Sequence, residues 1–129
     1  MVEHGIEVDE QLIKDGNFTA AASEKAVAEW LAEGVNFDAI FAADDNSAVG
    51  AMTALRSAGK RIPEDVAVVG FNNDAMGAHL TPKLTTIHAD TETVGFHAAT
   101  QLLRQINRET PESIIRLPTQ LIVRESCGF

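Results

Sequence analysis

A chain of 129 residues is one domain or part of one, and its 45% hydrophobic and 22% charged residues are ordinary globular usage, which excludes disorder as a class. The formal charge of −9 argues against this chain gripping nucleic acid or an anionic membrane surface, since both need a basic face. Cys127 is the single cysteine, so an internal disulfide and a cysteine metal cage are both excluded. Met1-Val2-Glu3-His4-Gly5 has neither the basic nor the apolar region of a signal peptide. No run approaches the roughly 20 apolar residues of a membrane span. A soluble, cytoplasmic protein is the expectation.

In chain order, Thr19 is placed to cap a helix that runs to Glu33, with Gly34 at its C-terminal end. Ser23, Val27, Trp30 and Leu31 fall on one face of it. Residues 38–43 form a short, almost wholly apolar run, as expected of a strand covered on both sides. Asp45 and Asn46 follow as caps for a second helix over 46–58, and Gly59 closes it. Its apolar positions Ala48, Val49, Met52 and Leu55 have helical spacing. After a polar turn at 60–64, residues 65–71 are the clearest strand in the chain. A loop over 72–83 leads to a short strand at 84–87. The longest helix spans 91–108, with Gly95, Ala98, Ala99, Leu102, Leu103 and Ile106 expected on its inner face. Residues 114–117 and 121–124 are strand-like, separated by Pro118.

Strand–helix–strand–helix–strand is the pattern of an α/β fold with a doubly wound parallel sheet. Ligands in such sheets bind at the carboxyl ends of the strands. Here those ends are Ala43-Asp44-Asp45 and Phe71-Asn72-Asn73-Asp74. Asp45, directly followed by helical periodicity, is the expected structural cap. Asp44, with the opposite pleat direction, is the expected ligand group.

The chemistry of an enzyme does not assemble. There is no GxGxxG, no phosphate-cradling GxxxxGK[ST] and no Gly-x-Ser-x-Gly elbow. Ser47 sits at a helix start, where a plain N-terminal residue is the simpler reading. His4, His79, His88 and His97 form no i, i+4 pair, and there is no HExxH. His88-Ala89-Asp90 is a weak metal pair at best, better read as a solvated or hinge segment. Cys127 has no base partner in view. No catalysis, metal or cofactor is expected.

Five motifs recur in order. They are Phe37-Asp38-Ala39-Ile40-Phe41-Ala42-Ala43-Asp44-Asp45, Ala48-Val49-Gly50-Ala51, the run from Gly59-Lys60-Arg61-Ile62-Pro63-Glu64-Asp65 to Val69-Gly70-Phe71, Pro82-Lys83-Leu84-Thr85-Thr86-Ile87, and Leu117-Pro118 with Leu121-Ile122-Val123-Arg124-Glu125-Ser126. With Gly16-Asn17-Phe18, this set resembles the ligand-binding domain of LacI/GalR-family bacterial transcription regulators, over nearly the whole chain. That domain is similar to the type I periplasmic binding proteins.

The resemblance implies an incomplete C-terminal subdomain over 1–88, a crossover helix and strand of the N-terminal subdomain over 89–118, and a return segment over 119–129. It places the family's DNA-binding headpiece outside this chain, and it implies a homodimer formed partly through the second helix and the loop after Phe71. A missing first strand and helix should leave apolar surface on the remainder. Carried over residue by residue, a stacking aromatic falls on Phe18, a strand-end asparagine on Asp44, and a strand-end aspartate on Asn72. A glutamine that often follows Leu-Thr-Thr-Ile falls on Ala89. Only Phe18 matches the pattern. The amide and carboxylate are exchanged between the two strand ends, which leaves the hydrogen-bond inventory unchanged. An aromatic face plus that inventory suits a sugar or related polyol as effector. The hinge of the two lobes would lie at His88, Ala89 and Pro118.

The leading expectation is therefore the effector-sensing part of a regulator, which reaches DNA only through its headpiece. A sensor module fused to a kinase or diguanylate cyclase is the second reading, prompted by the ending Arg124-Glu125-Ser126-Cys127-Gly128. A sugar-transport binding protein is the third.

Overall fold

The computed structural model describes Gly5 and residues 7–128. The reading of the extreme N-terminus, with His4, lies outside the described residues. Helix α1, Ala20–Glu33, begins where the Thr19 hydroxyl accepts the Ala22 N–H at 3.2 Å and ends at Gly34, whose φ of 72° only glycine adopts without cost. Strand β1, Ala39–Phe41, leads into helix α2, Asp45–Ser57. Strand β2, Ala67–Phe71, is followed by a short 3-10 segment, Ala75–His79, and by strand β3, Thr85–Ala89. Helix α3, Thr91–Ile106, is capped by Asp90, and strand β4, Thr119–Ile122, closes the sheet.

The sheet has four strands in the order β1-β2-β3-β4. β1 pairs with β2, and β2 with β3, in parallel. β4 runs antiparallel to β3, with His88 opposite Gln120 and Ala89 opposite Thr119. The fold is thus mixed α/β with a mostly parallel sheet, as the strand–helix alternation predicts, and β4 is the antiparallel strand at its edge. A parallel return would need a crossover that packs back on the same sheet, and α3 does not do that. Residues 114–117, expected as a strand, pair with nothing in the described sheet.

The core is built between α1, α2 and one face of β1–β3. Val27, Ala48, Ala51, Met52, Leu55, Ile62, Val66, Val68 and Leu84 form one buried cluster, with Trp30 and Phe37 packed beside it. Gly50 is where α1 and α2 meet: a Cβ there would run into the Ala20 carbonyl. β1 is covered on one face only, because Ala39 and Phe41 are exposed and Ile40 faces the core. The expectation of cover on both sides is corrected there. The expected inner face of α3 is corrected too: none of its described residues is buried, and Phe96, Leu103 and Ile106 are each at least 60% exposed.

Beneath the paired part of β2 and β3 the strands are joined by Ser126. Its buried hydroxyl donates to the Val68 carbonyl at 2.6 Å and accepts the Thr85 N–H at 2.8 Å. The C-terminal segment therefore belongs to the sheet it returns to.

Candidate functional site

Because β1, β2 and β3 run in parallel, their carboxyl ends open on one edge. Asp44 lies just beyond β1, Asn72 just beyond β2, and Ala89 ends β3. Asn72 is exposed and Asp44 half-buried. Phe18, in the loop before α1, is 67% exposed, and its carbonyl accepts the Asn46 side-chain N–H at 3.2 Å. That bond ties the Phe18 loop to the start of α2. No hydrogen bond joins Phe18, Asp44 and Asn72 among the described residues. What they share is the edge.

The cap of α2 falls on the other carboxylate than expected. Asp44, not Asp45, caps α2: its backbone is extended, at φ −151° and ψ 173°, and its Oδ1 accepts the Ser47 N–H at 2.7 Å. Its second oxygen has no partner among the described residues. The physical reason lies in the strand's length. β1 stops at Phe41, so strand pleating does not reach Asp44, and Asp45 is already the first helical residue. As such, Asp45 throws its side chain inward. It is fully buried, with one oxygen accepting the Thr86 hydroxyl at 2.5 Å and the other the Asp74 N–H at 2.6 Å. Gly70 makes room for it, since a Cβ there would collide with the Asp45 carboxylate.

Asn72 and Asn73 have φ of 100° and 58°, a region that non-glycine residues enter at a cost of about 1–3 kcal/mol each. The surroundings hold them there. Asn72 N–H donates to the Ile87 carbonyl at 2.8 Å, and Asn73 N–H to the Thr86 hydroxyl at 3.3 Å. Arg124 donates one guanidinium N–H to the Asn73 side-chain oxygen and another to the Leu84 carbonyl, both at 2.7 Å. Asn17 and Phe18 are left-handed as well, at φ 47° and 52°. Sequence reading missed Asp45's inward role, Thr86, Asn73 and Arg124. Only the doubled Asn72-Asn73, a residue type that tolerates left-handed backbone, signals a specified turn there.

At the expected hinge, exposed His88 and half-buried Ala89 occupy the end of β3, and Pro118 directly precedes β4. Asp90 next to them accepts the Thr93 hydroxyl at 2.6 Å and the Thr93 N–H at 2.9 Å. Those bonds, the hydroxyl first, hold its carboxyl below the usual carboxylate range. A cavity of about 170 Å³ lies along β1, lined by Phe18, Trp30 and Phe41 among others, and does not reach Asp44 or Asn72. Among the described residues no cluster of His, Cys, Asp and Glu could hold a metal ion, and no helix is long and apolar enough to cross a membrane.

The periplasmic binding protein-like domain profile matches residues 1–127. Over 123 residues the chain is 40% identical to the HTH-type transcriptional regulator CelR of Thermobifida fusca. The chain belongs to the LacI family. As a LacI-family chain it supplies part of a ligand-binding domain: the match to CelR uses 95% of this chain and 36% of that regulator. A solved CelR–cellobiose complex superposes with a TM-score of 0.87 at 39% identity, covering 97% of this chain and 38% of that one. A LacI-family regulator from Arthrobacter in complex with lactose superposes with a TM-score of 0.72 at 36% identity, covering 85% and 42%. These relatives are regulators rather than enzymes.

Proposed function

We propose that this LacI-family chain carries one side of an effector pocket, that the effector is a sugar, and that Phe18, Asp44 and Asn72 contact it. The observation that carries the reading is the carboxyl edge itself. It presents an exposed aromatic ring, a carboxylate with one oxygen unspent, and an exposed amide. A ring face stacks on sugar C–H groups, while the carboxylate accepts from hydroxyls and the amide does both. The relatives solved with cellobiose and lactose make disaccharides the first probes. In this reading the sugar is bound and released unchanged, in keeping with relatives that are transcriptional regulators.

Closure of two lobes around the sugar, with His88, Ala89 and Pro118 at the hinge, would alter the spacing of two DNA-binding headpieces in a homodimer. The effector does so only through its different affinity for open and closed states. The units proposed are residues 1–88 for one lobe, 89–118 for the crossover and 119–129 for the return.

Calorimetric titration of the intact regulator with cellobiose and lactose tests the site. Phe18→Ala and Asn72→Ala should each weaken binding about ten- to hundredfold, the loss of a stacking or hydrogen-bond contact to the ligand. Wild-type affinity in both variants would place the sugar elsewhere.

A further inference from the structure

The geometry points to Arg124 as a positioning residue for the effector pocket: it holds Asn73 left-handed, and through it the presentation of Asn72, without touching the ligand itself. The inference rests on the proposed site and extends it to a residue from the return segment.

The loop after β2 would not choose its own shape. Two consecutive asparagines at φ 100° and 58° are strained, and strain persists only where the surroundings over-determine it. Backbone bonds account for part of that hold. The N–H groups of Asn72, Asn73 and Asp74 go to the Ile87 carbonyl, the Thr86 hydroxyl and the Asp45 carboxylate. These acceptors come from β3 and α2, elements that pack in the same core. They pin where the loop's backbone runs, but none of them grips a loop side chain.

Arg124 does. Its Nη2 reaches the Asn73 side-chain oxygen at 2.7 Å, across 51 positions of sequence. Its Nη1 is fixed at the same time on the Leu84 carbonyl at 2.7 Å, and its own N–H donates to the Thr85 hydroxyl at 2.8 Å. The guanidinium is planar, so a bond to Leu84 on one nitrogen fixes where the other points. Arg124 is thus anchored to the start of β3 before it reaches Asn73. It sits two residues past β4, whose other end carries the proposed hinge at Pro118.

The test is a double-mutant cycle in the intact regulator with cellobiose as the probe, run well below each variant's melting temperature. Arg124→Met keeps the aliphatic length and loses both guanidinium bonds. Asn73→Gly removes the partner while leaving a residue that adopts φ 58° freely. Arg124→Met should weaken cellobiose about tenfold in the native background and less than about twofold in the Asn73→Gly background. Asn73→Asp, which still offers an oxygen to the guanidinium, should stay within about threefold of wild type. Amide hydrogen exchange provides a readout that needs no ligand. Residues 72–74 should exchange about tenfold faster in Arg124→Met while β2 keeps its protection. Equal losses in both backgrounds, or unchanged exchange over 72–74, would overturn the assignment. If wild type takes up neither cellobiose nor lactose, the sugar reading falls, and the exchange measurement alone decides the role of Arg124.

Discussion

Helices α2 and α3 are of similar length and both carry apolar residues at helical spacing, yet they live in different environments. α2 buries eight of its thirteen residues between α1 and the sheet. α3, at sixteen residues, buries none of those described, although its apolar and polar faces are the more sharply separated. The difference teaches that amphipathic patterning records which face is meant to be covered, while burial needs a surface to cover it. α2 finds that surface because β1 and β2 flank it in sequence and pair in parallel around it. α3 leaves the end of β3 and is followed by residues 107–118, which form no strand, so the described chain offers it no sheet face.

The comparison breaks most visibly if leucines from the two helices cost the same. Leu55, fully buried in α2, should lose about 2–5 kcal/mol on Leu55→Ala, whereas exposed Leu103→Ala should stay within about 0.5 kcal/mol, measured by urea unfolding of the chain. A large cost at Leu103 would mean that α3 is covered in solution.

The two adjacent carboxylates sharpen the picture within the packed region. Asp45→Ala strands the buried Thr86 hydroxyl and the Asp74 N–H, at a cost of about 2–3 kcal/mol. Asp44→Ala removes one cap bond, at about 1 kcal/mol. In the sugar titration the order should reverse among folded protein, with Asp44→Ala the weaker binder. Equal melting-temperature losses for the two would return Asp45 to the role of a surface cap.

The smallest effect is a pH dependence that separates the regions by probe. The Arg61 side chain, with bonds of 2.6 and 3.0 Å, and then its backbone N–H at 2.8 Å, hold the Asp65 carboxyl far below its ordinary value near 3.8. Asp90 is held below that value by Thr93. A carboxyl depressed on folding contributes stability above its unfolded value and loses it as pH falls through the folded one. Acidification below about pH 4 should therefore release the α3 cap, seen as lost helicity, while fluorescence of Trp30, the single tryptophan, still reports a packed α1. Simultaneous loss of both signals would show that the two regions unfold as one.

Much of the fold could be read from residue pattern. Thr19 and Gly34 bracket α1 as expected, because capping and left-handed glycine act over a few residues. β2 and β3 fall within two residues of their expected bounds, and the carboxyl edge carrying Asp44 and Asn72 follows from parallel pairing alone.

Local chemistry settled where elements begin and end, which residues are apolar, and which polar groups arrive at one edge. It could not settle which of Asp44 and Asp45 turns inward, since that depends on β1 stopping at Phe41 and on Gly70 leaving space on the neighbouring strand. Nor could it show that β4 reverses, that α3 stays uncovered, or that Arg124 reaches Asn73. Each of these depends on atoms brought together from distant parts of the chain. Their positions are set by packing, and periodicity within a segment carries no record of them.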